Sequence, residues 1–456
     1  MSNKIKSSFR DPSGFLFQEE GVLYRQINRQ YKENYEHLIS SGLYDELINE
    51  GYLIRHQEVS NIHAQTEEAY KILKPERISF ISYPYEWSYS QMKDAALTTL
   101  RIQKIAMKYG MILKDSSAYN VQIYKGKFVL IDTLSFEIYQ EDEPWIAYKQ
   151  FCQHFLSPLF LMTYTDIRLS QLIKVYIDGI PIDLASRLLP AKTYLKFSAL
   201  VNIHLNAKSQ KKYSDKQIDM KKIKMSKMRL EALIDSLEKT VESLNWKPGK
   251  TEWGDYYSIT NYSEEAFEAK KELVSDFITI TNPTRVWDMG ANTGVFSRLA
   301  SSKGIDTIAF DIDPIAVEKS YLYSKAMNET TITTLLMDLT NPSPSIGWSN
   351  EERFSLLSRA NADTAIALAL IHHLAISNNV PLVRIAEFFG SICKDLIIEF
   401  VPKADSQVQR LLATRKDIFP EYNEENFEIA FSSFFRLIKK EKIPGTERTL
   451  YLFKRL

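Results

Sequence analysis

The sequence predicts two folded regions of different class: a doubly wound α/β sheet in the C-terminal half and an α+β domain before it. Three observations carry this. Strand-length apolar runs alternate with helical stretches from residue 285 to 400, which implies parallel strands with crossover helices. A hairpin signal then replaces the crossovers and closes the sheet antiparallel, for seven strands in all. In the first third, a short hairpin sits between acidic residues. The 456 residues are 45% apolar and 25% charged, enough for more than one core.

In the C-terminal half the expected strands are Arg285–Asp288, Asp306–Phe310, Thr331–Met337, Thr364–Leu370 and Leu396–Phe400. Helices follow the first through Phe296, Leu299 and Ala300 and the second from Pro314, where proline suits a first turn. Phe434–Lys439 and Thr449–Phe453 flank the turn Pro444-Gly445. Upstream, residues 208–229 hold nine Lys/Arg against two Asp. A helical pattern then runs through Leu230, Leu233, Ile234, Leu237, Val241 and Leu244 and stops at Trp246-Lys247-Pro248-Gly249. The expected organisation is therefore a domain over 1–206, a basic and helical connector over 207–250, and a second domain over 251–456.

Lys+Arg and Asp+Glu both total 57, so the zero balance gives no chain-wide grip on nucleic acid, although local patches remain possible; the basic run 208–229 reads as a solvated connector, or as a segment that touches phosphates of RNA, lipid or glycan. Two cysteines, Cys152 and Cys393, exclude a disulfide scaffold or a Cys-based zinc site and fit a reducing compartment. The first residues, MSNKIKSSFRDPSG, have no apolar core, and no apolar run approaches the ~20 residues of a membrane span. A cytoplasmic protein without a membrane span is the expectation.

Asp288-Met289-Gly290-Ala291-Asn292-Thr293-Gly294 falls on the turn from the first strand to its helix, where doubly wound sheets bind ligands. Glycines there admit close backbone approach, and Asp311 ends the next strand, where a carboxylate can accept from both ribose hydroxyls. A dinucleotide site wants G-x-G-x-x-G; Asn292 occupies the central place, which favours a nucleoside without phosphates. The segment resembles the class I S-adenosylmethionine-dependent methyltransferases, Rossmann-like enzymes whose first motif is this Asp-x-Gly-x-x-x-Gly run, over roughly 260–456. The resemblance implies Gly290 and Gly294 lining the methionine moiety, Asp311 on the ribose, Asp338 near the adenine amino group, and Asp288 orienting the loop or the cofactor's ammonium. Asp313 reads as the cap of the following helix.

After the fourth strand, Ile371-His372-His373-Leu374 stands where the fold faces the methyl group. His372 and His373 offer a base near neutral pH, or helix capping and packing. Asn341-Pro342-Ser343-Pro344 follows the third strand, not the fourth, so it is not equated with the Asn-Pro-Pro-aromatic motif of amino-group methyltransferases. Trp253–Tyr257 with Asn261-Tyr262-Ser263 suggests a lid, and Ser263 a helix cap. Glu399-Phe400-Val401-Pro402-Lys403 leaves the fifth strand at the active face.

In the first half, Leu113-Lys114-Asp115-Ser116-Ser117-Ala118-Tyr119-Asn120 precedes strand Val121–Tyr124, turn Lys125-Gly126-Lys127 and strand Phe128–Asp132. A helix over Ser90–Tyr109 and a strand with hinge over Ile78–Tyr85 come before it. Phe151–Tyr164 and Leu169–Leu189 read as core helices. Asp115, Asn120 and Asp132 at these spacings resemble the catalytic core of protein-kinase-like and aminoglycoside-phosphotransferase-like proteins over roughly 10–205. That resemblance implies Asp115 as catalytic base, Asn120 and Asp132 as magnesium ligands, and ATP with Mg2+ as cofactors. Lys114 replaces the usual neighbour of the base, Thr133-Leu134 replaces Phe-Gly, and no glycine-rich loop is present. Arg25 is the candidate for the phosphate-pairing lysine, with Glu33 or Glu36 as its partner. An active kinase and a pseudokinase both remain open.

The pairing resembles bifunctional kinase-methyltransferases that cap bacterial surface polysaccharides, with the kinase-like part first, and the layout resembles some rhizobial nodulation-associated methyltransferases. The expected function is methyl transfer to an unidentified acceptor, with the first domain positioning substrate. The alternatives are a bifunctional kinase-methyltransferase acting on a saccharide or other hydroxyl, and a non-catalytic cofactor-binding scaffold.

Overall fold

The computed structural model describes residues 3–213, 224–249, 262–413 and 416–456. The chain divides into two compact units: Met1–Lys247 with Ser345–Arg353, and Pro248–Pro344 with Phe354–Leu456.

The N-terminal unit opens with a five-stranded antiparallel sheet, β1 (Asn3–Lys4), β2 (Gly14–Glu19), β3 (Val22–Asn28), β4 (His56–Val59) and β5 (Ala69–Pro75), in the order β1-β2-β3-β5-β4. The β2–β3 turn, Glu20-Gly21, holds φ values of 49° and 79°, the paired left-handed backbone that matches the twist of a tight hairpin. Strand alternation buries Phe15, Phe17, Tyr24 and Ile72 together, and Ile27 and Leu73 with Tyr31, Tyr35 and Leu134.

Helix Tyr89–Lys108 follows, close to its expected bounds. A capping box starts it: Ser88 Oγ accepts the Gln91 N–H, and Gln91 Oε1 accepts the Ser88 N–H at 2.7 Å. Next come β6 (Met111–Leu113), the hairpin β7 (Val121–Tyr124) and β8 (Lys127–Leu130), and β9 (Phe136–Ile138), which pairs with β6.

Two expectations fail here. Residues 78–83 form no strand. The Ser82 N–H donates to the Gln122 side-chain oxygen, and Gln122 Nε2 donates to the Ser82 carbonyl, both at 2.9 Å, so one amide side chain stands in for a neighbouring strand. The helix expected over Leu169–Leu189 breaks into Ile167–Gln171, Leu172–Val175 and Ile182–Leu188. Gly179, at φ +91°, and Pro181 interrupt it.

Of the expected connector, residues 214–223 and 250 lie outside the described residues. Its helix, Lys227–Ser243, buries Leu230, Ile234, Leu237 and Val241. Lys104 of helix Tyr89–Lys108 pairs with Asp235 at 2.6 Å and with Glu238, while Lys93 caps the helix by donating to the carbonyls of Glu242 and Leu244. The helix is thus packed within the N-terminal unit.

The C-terminal unit is a doubly wound α/β sheet. Its strands are β10 (Arg285–Met289), β11 (Asp306–Asp311), β12 (Ile332–Leu336), β13 (Thr364–Ala367), β14 (Asp395–Phe400), β15 (Phe435–Lys442) and β16 (Thr449–Arg455). Their order is β12-β11-β10-β13-β14-β16-β15. The first five run parallel, and β16 enters antiparallel between β14 and β15. Strand order reverses between β10 and β13, which opens a crevice at the carboxyl ends of those strands. Val274, Phe277 and Ile278 of helix Glu264–Thr281 pack with Val286, Ile366, Ile397 and Leu452 of the sheet in one core. β13 stops three residues before the expected Leu370, because Ala369 takes φ +50° and its N–H goes to the Glu399 carboxylate instead of the ladder.

Candidate functional site

The glycine turn lies at the switch point, on the loop leaving β10. Gly290 (φ +84°), Asn292 (φ +52°) and Gly294 (φ +82°) all use left-handed backbone. A Cβ on Gly294 would come within 2.8 Å of the Arg298 guanidinium and 2.9 Å of Ser320 Oγ, and at φ +82° any side chain there is strained, so the place favours glycine. Asparagine is the residue that best tolerates this backbone after glycine, and its side-chain oxygen accepts the Thr293 N–H at 2.9 Å. Arg298, which sequence reasoning passed over, holds the far side of the turn. It donates to the Thr293 carbonyl at 2.7 Å and pairs with Glu329 at 2.9 Å.

Two acids flank the turn. Asp288 is buried and accepts the Ser297 hydroxyl at 2.6 Å. Asp311, also buried, accepts the N–H groups of Asn292 (2.7 Å) and Asp313 (2.8 Å). Burial pushes the Asp288 carboxyl up to about 7, with the Asp311 charge adding to the shift. Burial likewise lifts Asp311 to about 6 against the pull of its backbone donors. Asp313 caps the next helix by accepting the Ile315 N–H at 2.8 Å, and Ser263 caps helix Glu264–Thr281. Asp338 follows β12 and closes a local turn on Thr340, at 2.8 Å to its N–H and 2.6 Å to its hydroxyl.

On the β13–β14 side the site rests on a buried ionic cluster. Glu399, at the end of β14, accepts from Lys270 (2.6 Å), Arg448 (3.2 Å), the Ala369 N–H (2.8 Å) and the Tyr262 hydroxyl. Arg448 also forks onto Asp405, at 2.7 and 3.1 Å. Burial opposes ionisation of Glu399, but Lys270 and Arg448 overcome it and hold the carboxyl at about 2. The loop from Ala369 carries His372 and His373, whose rings lie 4.1 Å apart. His372 is buried, and its Nδ1 finds no hydrogen-bond partner among the described residues. Burial, then the His373 ring, holds His372 well below the usual imidazole range. Burial with Arg448 pushes His373 to about 4, so both rings are neutral at pH 7. Of the expected lid, Trp253–Tyr257 and Asn261 lie outside the described residues.

The N-terminal unit gathers the other three candidates. Asp115 accepts the Ser117 N–H at 2.9 Å, and burial raises its carboxyl. Ser135 joins the remaining two: its hydroxyl donates to Asp132 at 2.6 Å, and Asn120 Nδ2 donates to it at 3.4 Å. Asp132 forms an ion pair with Arg25. Burial works against its charge, yet Arg25 and Ser135 keep its carboxyl below the ordinary range. Arg25 therefore pairs with Asp132 and not with the expected Glu33 or Glu36; Glu36 instead accepts the Tyr70 hydroxyl at 2.7 Å. No cluster of three His, Cys, Asp or Glu side chains suited to a metal occurs among the described residues.

No family model matches the chain. Solved structures align with parts of it. The bifunctional kinase-methyltransferase WbdD is 15% identical, over 45% of this chain and 43% of that one, with a TM-score of 0.30, so the match spans less than half of WbdD. The N-methyltransferase NodS from Bradyrhizobium japonicum WM9 is 10% identical over 42% of this chain and 98% of that one, with a TM-score of 0.32. Magnesium protoporphyrin IX methyltransferase (ChlM) from Synechocystis PCC 6803 is 13% identical over 46% and 90%, with a TM-score of 0.31. Among curated proteins, nodulation protein NoeA of Rhizobium meliloti (strain 1021) is 34% identical over 460 residues. That alignment covers 99% of this chain and 96% of NoeA, and by it the chain belongs to the NoeA family.

Proposed function

We propose that the C-terminal unit is an S-adenosylmethionine-dependent methyltransferase and that the N-terminal unit is a kinase-like domain that positions the acceptor. One observation carries the first part. Asp288 and Asp311 are buried at the switch-point turn with carboxyls raised toward neutrality, and among the described residues neither has an ion-pair partner at hydrogen-bond distance. A ligand bearing positive charge and a vicinal diol suits such a turn, because it would return the carboxylates to their ionised form. Asn292 in place of the central glycine favours a ligand without pyrophosphate.

S-adenosylmethionine would supply an electrophilic methyl group on a sulfonium. The chain's own part is alignment. Asp288 would orient the ammonium and Asp311 the ribose hydroxyls, with Gly290, Asn292 and Gly294 giving backbone approach and Asp338 facing the adenine amino group. Glu399 fixes the Ala369 N–H, and so sets the loop that brings His372 and His373 to the acceptor side. Being neutral, these rings are suited to accept a hydrogen bond from an acceptor O–H or N–H and to hold it in line. Calorimetry with S-adenosylmethionine and S-adenosylhomocysteine tests the site: binding is expected to fall at least about tenfold in Gly290→Asp and in Asp311→Ala, and unchanged binding in both would reject it.

For the N-terminal unit, the Arg25–Asp132 ion pair favours acceptor positioning over phosphoryl transfer. Mg2+ at Asp132 and Asn120 would have to displace a guanidinium already neutralising the carboxylate. Turnover of Mg2+-ATP by the intact chain, lost in Asp132→Ala and Asp115→Ala, would favour the bifunctional reading instead.

A further inference from the structure

Asp and Glu make up 57 of the 456 residues, one in eight, yet none occurs from Leu184 to Ser214. The same stretch carries Arg187, Lys192, Lys196, Lys208, Lys211 and Lys212. It folds as a 3-10 turn, Ala191–Leu195, running into continuous helix from Phe197 to Tyr213, with π turns over Leu200–Leu205. The inward side of that helix buries Ala199, Asn202, Ile203, His204 and Ala207. The outward side is apolar as well. Phe197, Val201 and Leu205, four residues apart and so on one face, are all exposed, as are Tyr194 and Leu195 just before them. Leu195 is 91% and Phe197 78% accessible, an unusual cost for a protein to bear without a partner.

The exposed residues are held in place. His204 contacts Thr193 Oγ1 at 2.9 Å and Ser186 Oγ at 2.8 Å, and the Tyr194 ring stacks on it at 3.7 Å. These contacts fix the turn to the helix, so Leu195 and Phe197 cannot fold back into the core. Arg187, Lys192, Lys196 and Lys208, all exposed, frame the patch. Beside Phe197 a cleft of about 780 Å³ carries Lys196, Lys239, Ser198 and Ser236, and its carboxylate, Asp235, is paired with Lys104.

We propose that this face docks on an anionic lipid surface. Fixed apolar side chains framed by lysines, with no carboxylate along the stretch to repel phosphate, match the two signals that hold a protein on a bilayer: shallow insertion and attraction to anionic headgroups. No described helix is long and apolar enough to cross a membrane, so the helix would lie in the interface plane. Leu195 and Phe197 insert, and the lysines meet the headgroup phosphates.

The test is co-sedimentation of the full chain with vesicles of phosphatidylcholine alone or in equal parts with phosphatidylglycerol. Binding to the mixed vesicles is expected to exceed binding to phosphatidylcholine at least tenfold and to fall in about 1 M salt, where screening shortens to ~3 Å. The exposed double variant Leu195→Ser/Phe197→Ser should keep the wild-type melting curve and lose the binding. Lys192→Glu/Lys196→Glu should lose the preference for phosphatidylglycerol. Equal binding to both vesicles, wild-type protein left in the supernatant, or full binding by the serine variant would overturn the proposal. So would concentration-dependent self-association that the serine variant abolishes, which would assign the face to a second copy of the chain.

Discussion

Asp132 of the N-terminal unit, half-buried just after β8, and Asp288 of the C-terminal unit, buried near the end of β10, are in opposite electrostatic states. Arg25 and the Ser135 hydroxyl hold Asp132 ionised, below its ordinary range. Asp288 accepts from the hydroxyl and the backbone N–H of Ser297, and burial lifts it to about 7. The first carboxylate has a cation of its own; the second has none at ion-pair distance among the described residues. On the function proposed above, the difference separates a site neutralised from within from one completed by binding.

The largest effect should come from breaking the self-neutralised kind of site where it is densest. Glu399→Ala would strand buried Lys270 without its carboxylate and leave Arg448 with the Asp405 carboxylate alone, and is expected to cost about 3–5 kcal/mol in urea unfolding. Arg25→Met should destabilise the N-terminal unit in the same way, and there the contrast sharpens. If the guanidinium is what keeps Mg2+ from Asp132, the variant should regain melting temperature as Mg2+ is added, while wild type does not respond. In the other site, Gly294→Ala forces a left-handed alanine against Arg298 and Ser320, for about 1–3 kcal/mol and weaker S-adenosylmethionine binding by calorimetry.

The smallest effect is in protons. Asp288 and Asp311 are raised in the folded state, so their contribution to stability is complete below about pH 4 and is lost as pH climbs to about 7. Glu399 is depressed and acts the other way: its contribution is present above about pH 4 and is lost as pH falls toward 2. A cationic ligand at Asp288 should release up to about one proton near pH 6.5, seen as a binding enthalpy that varies with the buffer's ionisation enthalpy. Asp288→Asn should reduce that variation.

The strands of the C-terminal unit were legible because fully buried parallel strands are written as apolar runs, and all seven fall close to where periodicity puts them. Gly290 and Gly294 were legible for the same local reason, a turn that only small residues can make. What escaped was long-range. Arg448 meets Glu399 and Asp405 across more than forty residues, and nothing around it in sequence marks it as buried. Gln122 completing the backbone at Ser82 is a tertiary substitute for a strand, so the apolar run 78–85 was misread. The Arg25–Asp132 pair spans 107 positions and displaced a local expectation drawn from the next helix.

The insertion of β16 between β14 and β15 has a consequence for synthesis. During translation the central strands β10 to β14 emerge first, and the free edge of β14 must wait until residues 449–455 are made before it can be sealed. Until then a row of unpaired amides flanked by Leu396, Ile397 and Ile398 is open to any other extended chain. The hazard for this protein is thus one of timing. Slowing elongation between β14 and β16 is expected to raise the insoluble fraction in cells, even though the finished fold would be identical.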